Sequence, residues 1–226
     1  MSNEPILNDL PPVAIGLAAG IVLVEALFAA GGVTAIGGAT GIGWRVEAIQ
    51  DYAFSPVVLE RIIERGDASF GLLRRFVTYA AIQQSWLGAL FAAAMVLALG
   101  NAVGRVLGSV QMILLVVIST MGSALVFGLV LDGPVPLIGA FPAVYGLIGA
   151  FTYSLWLRLG EMGKNQLAAF RLIGVLLAIQ FLFGLLLGAS STWIAELAGF
   201  AIGFAVSPLL VPGGFAALLA KARNRP

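Results

Sequence analysis

Two carboxylic acids interrupt long apolar stretches of this chain, Glu25 and Glu196. An ionisable group at the bilayer centre costs ~2.5–3.5 kcal/mol on insertion scales, so each should face protein or water rather than lipid. Proton or ion transport is the first chemistry such acids suggest, but two of them with no intramembrane Lys or Arg make a sparse relay. Hydroxyls that could act as nucleophiles are Ser85 and Ser123 inside apolar stretches, with Ser190 and Ser191 just before the last one. The groups that usually support such chemistry are missing, since the chain has 0 His and 0 Cys. Without His, the usual general base and the commonest metal ligand are lost. Without Cys, disulfides, thiol catalysis and Cys-containing metal sites are lost. Neither a metal nor a cofactor is expected.

The second pattern is made of small residues. Gly100, Gly104 and Gly108 repeat at four-residue spacing, as do Gly199 and Gly203, and Gly16 and Gly20. Small residues at this spacing let helix backbones touch and pack by van der Waals contact. They are expected to serve packing within the monomer rather than a ligand.

These residues need helices to position them. Of 226 residues, 60% are hydrophobic and 10% charged, with a net charge of +1, against the ~25% charged of a soluble domain. A nucleic-acid binder needs a basic stripe, and a disordered chain needs low hydrophobicity. Both are excluded. A spanning helix takes about 20 mostly apolar residues, and six stretches qualify: 11–35, 85–103, 110–131, 137–157, 167–188 and 193–211. The first is no cleavable signal peptide, because its flank carries Glu4 and Asp9 but no Lys or Arg, and its apolar run is too long. Strand-like alternation is absent, so an outer-membrane barrel is not expected. The fold expected is all-α, a polytopic six-span bundle over 11–211 between a tail at 1–10 and a basic tail at 212–226.

Six spans put both termini on one side. Arg105, Arg158, Lys164, Arg171, Lys221, Arg223 and Arg225 share that side, against Arg45, Arg61, Arg65, Arg74 and Arg75 on the other. This 7-to-5 bias points to cytoplasmic termini. The first connection, 36–84, is too long for a turn. Val57, Val58, Leu59, Ile62 and Ile63 alternate there with Glu60, Arg61, Glu64 and Arg65, predicting an amphipathic helix at the membrane surface. Asp67 after Gly66 marks the start of a further turn. Long structured loops are usually functional, though a cap that stabilises the bundle is an equal alternative.

Four segments, in order, carry a resemblance. They are Trp44-Arg45 in the first loop, Leu99-Gly100-Asn101-Ala102-Val103-Gly104-Arg105-Val106-Leu107-Gly108 at the end of the second span, Gly133-Pro134-Val135-Pro136-Leu137-Ile138-Gly139-Ala140-Phe141-Pro142-Ala143-Val144-Tyr145-Gly146-Leu147-Ile148-Gly149 entering the fourth, and Ala195-Glu196-Leu197-Ala198-Gly199-Phe200-Ala201-Ile202-Gly203 in the sixth. Together they resemble the rhomboid intramembrane proteases, which have six spans and a long first loop. The family cuts peptide bonds with a Ser-His dyad, in which His takes the proton of the attacking Ser. Carried onto this chain, the nucleophile position of the Gly-x-Ser-Gly motif falls on Phe141 and the base position on Glu196. The positions that help hold the oxyanion fall on Gln83, Gly88 and Ala92.

The resemblance therefore implies a catalytically inactive rhomboid-like protein, similar in logic to the derlin and iRhom pseudoproteases. Its partners would be membrane lipids and transmembrane segments of another membrane protein, bound for retention, chaperoning or quality control. The lateral opening of the family would lie between Trp86, Leu90, Phe91 and Met95 on the second span and Phe181, Leu185 and Leu186 on the fifth. Two alternatives are an accessory or assembly subunit of a larger membrane complex and an intramembrane serine protease with atypical residues. The chain is expected in a bacterial inner membrane. Three local expectations complete the reading. Gly199 and Gly203 pack the sixth span on the fourth near Tyr145 and Gly149. Phe141 and Pro142 fill the former active-site cavity. Glu196 lies against the Tyr145 hydroxyl as a structural tie.

Overall fold

The computed structural model describes residues 10–31, 43–187 and 190–211. The tails at 1–9 and 212–226, the start of the first loop at 32–42, and 188–189 lie outside the described residues, and with them Lys221, Arg223 and Arg225. Helices account for nearly all of the rest. They are α1 (Pro12–Gly31), α2 (Trp44–Tyr52), α3 (Pro56–Arg65), α4 (Phe70–Leu73), α5 (Arg75–Thr78), α6 (Trp86–Leu107), α7 (Ser109–Val130), α8 (Phe141–Glu161), α9 (Arg171–Leu187) and α10 (Trp193–Leu210), with short 3₁₀ turns at Tyr79–Ala81 and Gln166–Phe170. Among the described residues the only bridge is the isolated antiparallel one between Phe54 and Leu137.

Among the described residues, four helices are long and apolar enough to cross a membrane: α1, α6, α7 and α10. This is a polytopic helical membrane protein. The fourth expected span differs in register, beginning at Phe141 rather than 137. Leu137 instead pairs with Phe54, and Gly139 turns the chain at φ +108 before the helix can start. A side chain rarely adopts that φ, so glycine suits the turn. Tyr145, Thr152, Tyr153 and Arg158 make α8 more polar than its neighbours, and Pro142 through Ala150 are buried by other helices rather than by lipid. The fifth expected span shortens to a 3₁₀ turn followed by a 17-residue helix.

Local chemistry sets the ends. Ser85 caps α6, its Oγ accepting from the Gly88 N–H at 3.2 Å, which satisfies one orphan donor of the first turn. Gly108, at φ +88, separates α6 from α7. In the first loop, Pro56 opens α3 and left-handed Gly66 closes it. The amphipathic helix expected there buries Val58 and Leu59 against α7 and leaves Ile63 exposed. Asp67 then accepts from the Ser69 N–H at 3.2 Å, ahead of α4.

The bundle centres on α8, which packs most extensively on α10 and also touches α6 and α7. The glycine pairs divide by what they face. A Cβ on Gly203 would overlap the Gly146 carbonyl, one on Gly199 would meet Pro142 and Ser123, and one on Gly149 would meet the backbone of Phe200 and Phe204. Gly100 and Gly104 face Ala14 and Pro11 of the first segment, with Met112 alongside. Gly16 and Gly20 differ from the packing expected of them: both are exposed, with open space where a Cβ would be. The reason is rotation, since α1 turns Ala14, Ala18, Ile21 and Glu25 inward.

Candidate functional site

The first loop and the α7–α8 connection meet over the bundle and build one side of a cavity. Phe54 and Leu137 exchange backbone hydrogen bonds at 3.3 and 2.7 Å, and the Gly139 N–H donates to the Tyr79 carbonyl at 3.1 Å. Tyr79 is fully buried, its hydroxyl donating to the Thr120 carbonyl of α7 at 2.9 Å. Burial pushes its pKa well up, keeping it a neutral donor. Gln83, at 1% exposure, locks the connection from below. Its Oε1 accepts from the Ala140 N–H at 3.4 Å and its Nε2 donates to the Ala80 carbonyl at 3.0 Å. Arg45 of α2 donates to the Gln83 backbone carbonyl and to Glu25 of α1.

The cavity has a volume of about 240 Å3 and is walled by Gln83, Gly88, Leu137, Ile138, Gly139, Phe141, Pro142, Thr192 and Glu196, with exposed Gln84, Ser85 and Ser190 at its rim. Phe141 and Pro142 thus form wall rather than filling, contrary to the expectation from sequence. Phe141 opens α8 half-buried, and its ring packs with Phe91 of α6 at a centroid separation of 6.1 Å. An aromatic neighbour on that side draws the ring toward α6 and leaves the space beside it open.

Glu196 stands on the first turn of α10, 7% exposed, and also lines the cavity. Its hydrogen-bond donor is Gln180 of α9, through Nε2 to Oε2. The Tyr145 hydroxyl, which the sequence set against Glu196, also lies within reach of the carboxyl. Gln180 escaped sequence reasoning because a lone Gln in an apolar run carries no motif.

The structure brings Gln83, Gly88, Phe141 and Glu196 to this one cavity; Ala92 is fully buried on α6 and does not line it. The Gly88 N–H is taken by Ser85. Tyr145, Gly199 and Gly203 lie in the α8–α10 contact beneath, whereas Gly100, Gly104 and Gly108 lie along α6, with α1 and α7 as neighbours. Each rim serine is held locally: Ser85 caps α6, and Ser190 shares a 3.0 Å hydrogen bond with Thr192. Ser123 is fully buried under Gly199. Among the described residues no cluster of His, Cys, Asp or Glu could hold a metal.

The faces flanking the cavity are apolar. Trp86, Leu90 and Phe91 of α6 are 44–54% exposed, while Met95 packs inward on the core. On α9, Leu182 is exposed; the side chains of Phe181, Leu185 and Leu186 lie outside the described residues.

The Rhomboid domain family model matches residues 71–213 of the chain, a stretch running from α4 to just past α10 and including every cavity residue. No curated protein matches it.

Proposed function

The chain belongs to the rhomboid family, and from that membership we propose that it is a non-catalytic member that binds transmembrane segments of other membrane proteins for their retention, chaperoning or quality control. The observation that carries this reading is the pairing of residues at the cavity. Phe141 offers no nucleophilic atom, and the Glu196 carboxyl accepts a hydrogen bond from Gln180.

The rest of the machinery supports the same reading. Peptide hydrolysis needs donors aimed at the developing oxyanion, and losing one costs ~2.7–4 kcal/mol of transition-state stabilisation. Gly88 and Ala92 have no polar side chain, and Pro142 has no N–H to offer. With 0 His in the chain, no imidazole can serve as base. What remains is a cavity beside an exposed apolar helix face, which suits capture without cleavage. The 7-to-5 bias of basic residues between the two sets of loops favours cytoplasmic termini, in this reading at a bacterial inner membrane.

A photo-crosslinking side chain introduced at Leu90, in native membranes, tests it. Adducts to intact transmembrane segments of other proteins are expected, and adducts to lipid alone would refute it. A single stoichiometric partner surviving detergent purification would instead identify a fixed subunit of a larger complex.

A further inference from the structure

Resting on the segment-binding reading above, we propose that the cavity takes the basic side chain of a bound transmembrane segment, a lysine or an arginine, with Glu196 as its counter-charge. The chain treats its two intraspan acids differently. Glu25 is met by a cation of its own, Arg45, at 2.6 Å. Glu196 is met by the neutral carboxamide of Gln180 and the Tyr145 hydroxyl. Among the described residues it is the only ionisable side chain in the cavity wall, whose other polar members are amides and hydroxyls. Its described residues thus present one acid and no base.

A transmembrane segment bearing a single Lys or Arg has the complementary problem, because an isolated charge in hydrocarbon seeks a partner in protein or water. Size sets how the two meet. A cavity of about 240 Å3 holds one long side chain but not a helix some 10–12 Å across. In this proposal the segment stands outside and sends its side chain in, resting against the exposed Trp86, Leu90 and Phe91, the last of which contacts Phe141 of the cavity wall. An ammonium brings three donors; the carboxyl of Glu196 can accept one, and the oxygens of Ser190 and Thr192 lie in the same wall. Gln180 has reason to yield its place, since its Oε1 is buried with no hydrogen-bond partner.

The test uses the full chain in phosphatidylcholine vesicles, whose neutral headgroups offer no net charge. Three labelled single-span Leu/Ala peptides carry Lys, Gln or Leu at the depth of Glu196, and binding is read by energy transfer. The Lys peptide is expected to bind about tenfold tighter than the Leu peptide, with Gln between them, and Glu196→Gln should abolish that preference, bringing the Lys peptide to the affinity of the Gln peptide. Equal binding of the Lys and Leu peptides to the unmodified chain overturns the charge pairing alone. A Lys preference that survives Glu196→Gln overturns Glu196 as the counter-charge. Failure of all three peptides to bind overturns the segment-binding reading, and this proposal with it.

Discussion

The guanidinium of Arg45, on the first loop helix, lies 2.6 Å from the carboxylate of Glu25, which is 2% exposed in the C-terminal half of α1. The same guanidinium donates to the Gln83 carbonyl and stands 5.2 Å from the centroid of the Phe28 ring. One side chain therefore ties α1 and α2 to the segment that supports the cavity wall. Removing one partner of a buried ion pair costs about 3–5 kcal/mol, because the other charge is stranded. Arg45→Leu should fall at the low end of that range, as its side chain is 30% exposed. The Glu25→Leu/Arg45→Leu double variant should recover much of the loss. Thermal midpoints in detergent, compared across the pair, check this; a double variant no more stable than the single one would contradict it.

The α8–α10 contact leads to a second expectation. Gly203→Leu would drive its side chain into the Gly146 backbone and should cost on the order of 1–3 kcal/mol, as overpacking does. Gly16→Ala meets open space and should be neutral or slightly stabilising, since Gly within a helix costs roughly 0.5–1 kcal/mol relative to Ala. Equal effects of the two substitutions would count against the packing described.

At Glu196, the shape of the group matters to stability more than its charge. Glu196→Gln can still accept from Gln180 and should unfold near the parent midpoint. Glu196→Leu removes the acceptor that Gln180 uses and should lose about 1–3 kcal/mol, the cost of an unpaired buried donor. Two variants of the same stability would reject the tie between α9 and α10.

On the non-catalytic reading, installing a Ser-His pair should not by itself confer proteolysis. In Phe141→Ser/Glu196→His, the cavity would gain a hydroxyl and an imidazole, but positions 88 and 92 would lack side-chain donors and Pro142 an N–H. Labelling by a fluorophosphonate probe is expected to stay at background. Strong labelling of that variant would contradict the non-catalytic reading of positions 88, 92 and 142.

Much of the helical order could be read from the sequence because it is local. Ser85 before Trp86, Pro56 after Ser55 and Gly66 after Arg65 are end signals carried by neighbouring residues. The residues meeting at the cavity were legible only through the rhomboid resemblance, since Gln83 and Glu196 are far apart in the chain. Three features needed tertiary information. Gly16/Gly20 and Gly199/Gly203 share a spacing, and only the rotation of each helix separates an idle pair from a contact. Gln180 pairs with a residue 16 positions on, across a connection, so no periodicity marks it. The start of α8 was displaced from 137 because Leu137 is claimed by Phe54, a partner 83 residues earlier.

The central claim is that the chain captures a transmembrane segment and leaves it uncut. Its most direct test is the intact mass of a single-span peptide co-reconstituted with the chain, recovered with it by affinity purification after prolonged incubation. The account predicts that the peptide co-purifies at its full mass. Fragments cut within the span, lost when one serine of the chain is substituted, would contradict it.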